Sequence, residues 1–331
     1  MAKNFKQLVK EVDINKVEEY HDTSHSAKDS LVGIRDKKFV RFESDVFQEL
    51  IDEIINNPNC HYVTYVNDLI KSGYIPKHIS VLKKCDNGDR SNDEYGLGHF
   101  KDAIASRMLN FFECPTAYET ILNVGGEIYS CSVDFGKYGE DFYDLTNITV
   151  AMSMGAGTIE ENIRDIKEKL AWFCKDKNMK ENVNQMTNKF IEEYIYSRLV
   201  RRYIICDIDA GFNNVGLVHN VKENSFRMAP NFDMEYAFLF VGSTRARRIE
   251  LELYQEDLKY VKINYPHIFN KFINMLHKFV SRVNGGANYS NIIESVIGRG
   301  NNAKKFIADF AGNVEAMVLI ADDIAERKIM E

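Results

Sequence analysis

Few residues in this chain of 331 interrupt it or tie it to itself: five are proline, one is tryptophan, and the six cysteines at 60, 85, 114, 131, 174 and 206 include no C-x-x-C pair. Such scattered cysteines exclude a zinc ribbon and a disulfide framework, and they fit free thiols in a reducing compartment. No apolar stretch approaches the length that spans a bilayer, and no apolar run follows the N-terminus. The expectation is a soluble, cytoplasmic protein with no membrane partner. An excess of positive charge is missing too. A formal net charge of −7 argues against a general nucleic-acid binder, because affinity for a phosphate backbone comes largely from Lys and Arg. The common signatures are also absent: there is no G-x-G-x-x-G or Walker A string before Lys83, no G-x-S-x-G elbow, no H-E-x-x-H and no zinc-deaminase pattern. Internal repeats and low-complexity segments are lacking. What remains is an ordinary globular composition, 45% hydrophobic, on a chain long enough for two lobes.

One stretch organises the rest. Tyr203 to Asp209 is an apolar run ending in Asp207-Ile208-Asp209, followed by the Gly/Asn-rich turn Gly211 to Asn214 and a second apolar run, Val215 to Val218. Lys222 to Ser225 reads as a turn, so Val215–Val218 and Phe226–Ala229 pair as a hairpin that returns Asp233 beside Asp209 and Asn214. Asp209 and Asn214 have the D-x-x-x-x-N spacing of a phosphoryl-transfer loop, and a metal-binding Asp one hairpin later suits the same chemistry. That reaction needs an oriented hydroxyl and neutralised phosphate charge; a carboxylate orients the first, and carboxylate and amide oxygens hold Mg²⁺, a hard cation, for the second. An Asp/Asn-rich turn with an unrelated Asp behind it satisfies the same spacing.

Upstream, Phe5 to Val9 suggests a short helix, and His21 and His25 have i, i+4 spacing, but their Asp/Ser/Thr surroundings read as a loop rather than a metal site. Val46, Leu50, Ile51, Ile54 and Ile55 predict an amphipathic helix capped by Ser44 or Asp45. His61 to Val66 has strand propensity, and Lys77 to Lys83 alternates as a strand ending in Lys83-Lys84. Phe100, Ala103, Ile104, Arg107, Met108 and Phe111 keep a helical stripe that stops near Cys114-Pro115. Gly125-Gly126 joins Thr120–Val124 to Glu127–Val133 as a hairpin. Thr158 and Glu161 form a capping box for a helix over Ile159 to Phe173, with Trp172 expected in the core. A second helix over Gln185 to Tyr203 delivers the chain to the loop; Arg198, Arg201 and Arg202 on or beside its polar face read as solvated or salt-bridged rather than as phosphate ligands. Beyond Asp233, Gly242 to Arg248 is a basic cluster in which Ser243 and Thr244 are candidate autophosphorylation sites. From Asp257 the stripes predict an all-helical tail, broken at Asn284-Gly285-Gly286 and Gly298-Arg299-Gly300.

The order of these segments resembles the HipA-like serine/threonine protein kinases, in particular their small cell-translocating kinase A branch. In that family the loop reads N-x-D-x-H-x-x-N-x-G-hydrophobic, and the metal Asp lies in A-P-hydrophobic-x-D. This sequence matches at Asp209, Asn214, Gly216 and Ala229-Pro230 with Asp233; it departs at Gly211, where the family has His, and at Asp207, where it has Asn. The resemblance spans residues 77 to 240. It implies an α+β, bilobal protein-kinase-like fold: an extension and lobe start over 1–75, a small lobe over 76–135 with an antiparallel sheet and one helix, and a mainly helical lobe over 136–331 with the catalytic loop at 207–217. It further implies ATP and Mg²⁺ as cofactors and a protein Ser/Thr hydroxyl as acceptor, including one on the chain itself. Asp209 would be the base, Asn214 and Asp233 the metal ligands, and Lys83, with Lys84 beside it, the phosphate clamp. Asp102 would stand in for the family's Glu as partner of that lysine, and Ser132, Val133 and Asp134 would form the hinge that meets adenine.

Two other classes stay open. A pseudokinase or binding module would keep the fold without transfer, favoured by Gly211, Asp102 and the missing glycine loop. Asp207, Asp209 and Asp233 could instead form a metal-dependent hydrolytic cluster, which would need no nucleotide.

Overall fold

The computed structural model describes residues 9–19, 37–55, 79–84, 97–98, 100–133, 139–148, 157–207, 211–234, 237–238, 244–283 and 285–326. Residues 5–8 of the expected helix at Phe5–Val9, the His21/His25 pair, the strand at His61–Val66 and Ser243 lie outside these residues.

The first part of the chain builds a six-stranded sheet of order β1-β5-β6-β4-β3-β2. Its strands are β1 (Lys10–Val12), β2 (Val17–Glu19), β3 (Lys37–Phe42), β4 (Ile79–Lys84), β5 (Glu119–Val124) and β6 (Glu127–Val133). All neighbours are antiparallel except β1, which runs parallel to β5 with Lys10 opposite Leu122. The first described strand of this sheet, Lys10–Val12, precedes the lysine strand in the chain. The β5–β6 turn is the two-residue Gly125-Gly126 hairpin, both glycines at positive φ (60° and 92°), as the primed hairpin turns require.

Two helices cover the sheet, α1 (Ser44–Ile55) and α2 (Phe100–Phe111). The pleat sends neighbouring side chains to opposite faces, and the two cores divide on that rule. Leu122 joins Val40, Phe42, Phe47, Leu50 and Leu82 in the smaller core, which includes α1. Ile121, one residue earlier, joins Ile104, Met108 and Phe112 in the larger core, which continues through the rest of the chain. Helix α2 is thus a wedge between sheet and helices. Phe112 stacks near Phe272 and Phe279, with ring centroids 6.3 and 4.9 Å away.

A three-stranded sheet follows, β7 (Glu140–Asp144), β8 (Gly216–Asn220) and β9 (Ser225–Met228), in the order β7-β8-β9. Helix α3 (Ile159–Asp176) starts with the expected capping box: Thr158 Oγ1 accepts from the Glu161 N–H at 3.2 Å, and Glu161 Oε2 accepts from the Thr158 N–H at 2.9 Å. Ile159, Ile163, Ile166, Leu170 and Phe173 form its buried stripe, whereas Trp172 is 50% exposed. The expectation of a core tryptophan fails because 100° per residue carries position 172 off the face shared by 170 and 173.

Helix α4 (Val183–Arg198) does not continue as an α-helix to Tyr203; Leu199–Ile204 widens into a π-helical turn, with the Ile205 N–H donating to the Val200 carbonyl at 3.1 Å. The tail comprises α5 (Thr244–Asn264), α6 (Pro266–Val280), α7 (Asn288–Ile297) and α8 (Asn301–Glu326). It is not wholly helical. Asn284 lies outside the described residues; on either side of it a short ladder, β10 (Arg282–Val283) against β11 (Gly286–Ala287), interrupts the helices, a pairing too brief to leave a period in the sequence. The chain is an α+β protein with a sheet lobe and a mainly helical lobe. No helix among the described residues is long and apolar enough to cross a membrane.

Gly216, where β8 opens, has no room for a side chain. A Cβ there would lie 2.2 Å from Phe142 Cε2 and 3.0 Å from the Ala229 Cβ. Gly216→Ala is expected to cost about 2 kcal/mol, within the overpacking range; in a Phe142→Leu background the added cost should fall by at least half. Urea unfolding of the four proteins of this double-mutant cycle measures it; an unchanged cost in the second background would show that Phe142 is not the obstacle.

Candidate active site

The loop that carries Asp209 begins and ends on one guanidinium. Arg201, in the π-helical turn, donates from Nε to Asp207 Oδ2 at 2.9 Å and from Nη2 to the same oxygen; its Nη1 donates to the Asn214 carbonyl at 2.9 Å. The Asp207 N–H returns a bond to the Arg201 carbonyl at 2.9 Å. The side chains of this ion pair are 2% and 0% exposed, so neither charge is screened by water and each depends on the other. The three arginines expected to be solvated or salt-bridged divide accordingly. Arg201 is paired but buried; Arg202 binds Glu250 through two contacts of 3.1 and 3.0 Å; Arg198, also buried, donates to the Gly157 carbonyl at 2.9 Å.

Asp209 lies outside the described residues, as does Asp134. On the loop's far side, Phe212–Asn214 is a 3-10 turn with the Asn214 N–H donating to the Gly211 carbonyl at 3.0 Å. Phe212 is fully buried, its ring centroid 6.2 Å from that of Tyr194 and 6.0 Å from Lys169 Nζ. Burial lowers the Lys169 pKa, and Asp165 and Asp144 oppose that shift. Asn214 itself is buried.

The hairpin expected after the loop forms as β8 and β9, with Leu217 opposite Met228 and the Ala229 N–H donating to the Gly216 carbonyl at 2.8 Å. It brings Ala229 back beside Gly216, at the loop's exit. Asp233 is half-buried with φ +53°, a left-handed conformation that Asp and Asn tolerate better than most residues. Phe232, beside it, packs edge-on to Phe142 at 5.4 Å.

A second polar group lies in the sheet lobe. Ser130 Oγ is 3.4 Å from Asp102 Oδ2 and 3.4 Å from Glu119 Oε2, and all three residues are 1% exposed. The backbone position opposite Ser130 is Lys83; Lys84 stands opposite Tyr129. Ser132 pairs with Glu119 and with Val81, and Val133 pairs with Ser80 while its N–H donates to the Tyr118 carbonyl at 3.1 Å. The Val133 amide is therefore already engaged by the protein.

Of the candidate residues, Asp102 lies beside Ser130 and Glu119, Lys83 holds the register position across from Ser130, and Asn214 and Asp233 lie before and after the β8–β9 hairpin. Sequence reasoning does not reach the partners of Arg201 and Asn231, the latter bonded to the Pro115 carbonyl through both its backbone and its side chain. Those partners are set by the fold. Among the described residues no three His, Cys, Asp or Glu side chains converge as a metal site. Cys114, Cys131, Cys174 and Cys206 are free thiols, the Cys114 thiol pushed up to about 12 by burial.

No protein-family model matches the sequence, and no curated protein matches it. Among solved structures, the chain is similar to the proinflammatory kinase CtkA of Helicobacter pylori, at 11% identity over 76% of this chain and 89% of that one, with a TM-score of 0.49. It is also similar to the toxin–antitoxin system HipA of Shewanella oneidensis MR-1, in a structure with HipB and operator DNA, at 11% identity and a TM-score of 0.48; 76% of this chain is covered but 61% of that one.

Arg201→Met leaves Asp207 buried without its cation and should cost about 3–5 kcal/mol. Adding Asp207→Leu removes the orphaned charge, so the double variant should be more stable than Arg201→Met alone. Chemical denaturation of both decides it, and a double variant no more stable than the single one would deny the pair its role in holding the loop.

Proposed function

We propose that this chain is a HipA-like protein kinase that transfers the γ-phosphoryl group of ATP to a Ser or Thr hydroxyl of a protein, its own chain included. The observation that carries this reading is the guanidinium of Arg201 bonded to Asp207 before the loop and to Asn214 after it. The clasp ties together the two described ends of a polar turn, and loops on rigid scaffolds are where chemistry is placed.

Within this reading Asp209 accepts the proton of the attacking hydroxyl or orients it. Asn214 and Asp233 offer an amide and a carboxylate oxygen, a donor set that fits Mg²⁺. Bound Mg·ATP supplies the phosphoryl group and neutralises its charge. Lys83 is the favoured phosphate clamp because it occupies the register position across from Ser130, where Asp102 and Glu119 meet; Lys84 is one position removed. Glu119 compensates for the short reach of Asp102 by adding a second carboxylate to the same spot. Ser132, Val133 and Asp134 remain the proposed adenine hinge. The hydrolytic alternative loses support, since Asp207 is committed to Arg201 and closed off from solvent.

The test is incubation of the full chain with Mg²⁺ and γ-labelled ATP, followed by mass spectrometry of the protein and of added Ser/Thr peptides. Asp209→Asn and Asp233→Asn serve as controls; Asn is chosen at 233 because it tolerates φ +53° where Ala is strained. Labelled Ser or Thr in the wild type, reduced at least about 100-fold in both variants, is expected. Mg·ATP binding without label would favour the pseudokinase reading, and label unchanged in either variant would remove that residue from the reaction.

A further inference from the structure

Asn231, two residues before Asp233, is 3% exposed and makes more hydrogen bonds to the rest of the molecule than a connecting strand needs. Its N–H donates to the Pro115 carbonyl at 2.8 Å, and its carbonyl accepts from the Ala117 N–H at 2.7 Å and from Thr116 Oγ1 at 3.2 Å. The side-chain Nδ2 donates to the same Pro115 carbonyl at 2.7 Å and to Ser197 Oγ, on α4, at 3.1 Å. Backbone and side chain thus grip one connection from two sides. No isostere repeats this: Asp would set a carboxylate against the Pro115 carbonyl, and Leu would leave that carbonyl and the Ser197 hydroxyl short of a donor.

The connection Asn231 grips leads directly to the other polar group. Ser106 of α2 donates to the Ala117 carbonyl at 3.0 Å, and the Val133 N–H at the end of β6 donates to the Tyr118 carbonyl at 3.1 Å. Glu119 follows at once, 3.4 Å from Ser130 Oγ. Ser197 lies four residues before Arg201, the clasp of the loop. One buried amide therefore joins the strand to Asp233, the approach to the Asp102–Glu119 pair and the helix that carries Arg201.

We propose that Asn231 is a positioning residue that holds Asp233 and the Asp102–Glu119 pair in one fixed register, so that the metal ligand and the phosphate-clamp acids are set as a single body before nucleotide arrives. The inference rests on the kinase reading of Asp233. It explains how Asp233 keeps a left-handed backbone, since such conformations persist where the surroundings over-determine them.

The test uses the full-length chain as wild type, Asn231→Leu, Ser197→Ala and Asp233→Asn, with two kinds of measurement. Hydrogen exchange follows peptides covering 115–119 and 229–233; Mn²⁺ binding is measured with ATP present, and ATP binding is measured without metal. Asn231→Leu should speed exchange in both peptides and weaken Mn²⁺ about tenfold or more, the ratio expected when buried polar groups lose their partner, while metal-free ATP binding changes little. Ser197→Ala, which removes a single acceptor, should shift both readouts in the same direction by less, and it carries the test if Asn231→Leu does not fold. Asp233→Asn should lose Mn²⁺ with exchange unchanged. Faster exchange with undiminished Mn²⁺ affinity would make Asn231 an element of folding only and overturn the proposal, as would an equal loss of metal-free ATP binding. A wild-type chain that binds no Mn²⁺ with ATP would instead overturn the kinase reading, and this inference with it.

Discussion

A buried guanidinium can only be kept if its hydrogen bonds are met, and Arg201 meets three of its own with one carboxylate and one carbonyl. The cost of burying this charge is offset only while Asp207 and Asn214 stay where they are. That constraint reaches outward. The π-helical turn is what sets Arg201 inside the protein, and such turns are frequent at functional sites. Tyr203 in the same turn donates to Asp257, which also accepts the Ile159 N–H at 2.7 Å. The start of α3, α5 and the loop are thereby tied to one turn of chain.

The second constraint is the wedge. Helix α2 and the turn after it place Ile104 and Met108 in the larger core and set Phe111 and Phe112 against Phe279 of α6, and the Tyr196 hydroxyl donates to the Phe112 carbonyl at 2.6 Å. With the Asn231 hydrogen bonds on the connection that follows it and the aromatic cluster behind it, α2 has little freedom to swing away from the helical lobe. Asp102 on this helix is therefore presented at a fixed place beside Glu119 and Ser130, a preorganised arrangement of the kind that lets charged groups act without reorganising.

What can be read from the sequence is local. The Thr158–Glu161 capping box, the Gly125-Gly126 turn, the β8–β9 hairpin, the helix α1 and the α2 stripe each depend on residues a few positions apart, and each forms. The parts that cannot be read depend on partners far away in the chain. Nothing near Lys10 announces that it will lie parallel to β5 at Leu122, and nothing near Asn231 points to Pro115. The apolarity of Trp172 suggests a core residue, whereas its phase on the helix decides otherwise. The spacing of Arg201 fits a polar helix face, and the widened turn that buries it has no sequence period of its own. Of the candidate site, the oxygen donors at 214 and 233 are visible as types and spacing; the distant hydrogen-bond partners of Arg201 and Asn231 are not.

The kinase reading of this site requires Asn214 and Asp233 to share a cation. The most direct measurement is the anomalous scattering of Mn²⁺ in crystals of the full chain grown with a non-hydrolysable ATP analogue. A metal peak is predicted at coordination distance, about 2.0–2.3 Å, from the Asn214 side-chain oxygen and an Asp233 carboxylate oxygen, with Asp207 still bonded to Arg201. A metal on Asp207, or nucleotide bound with no metal at either residue, would contradict it.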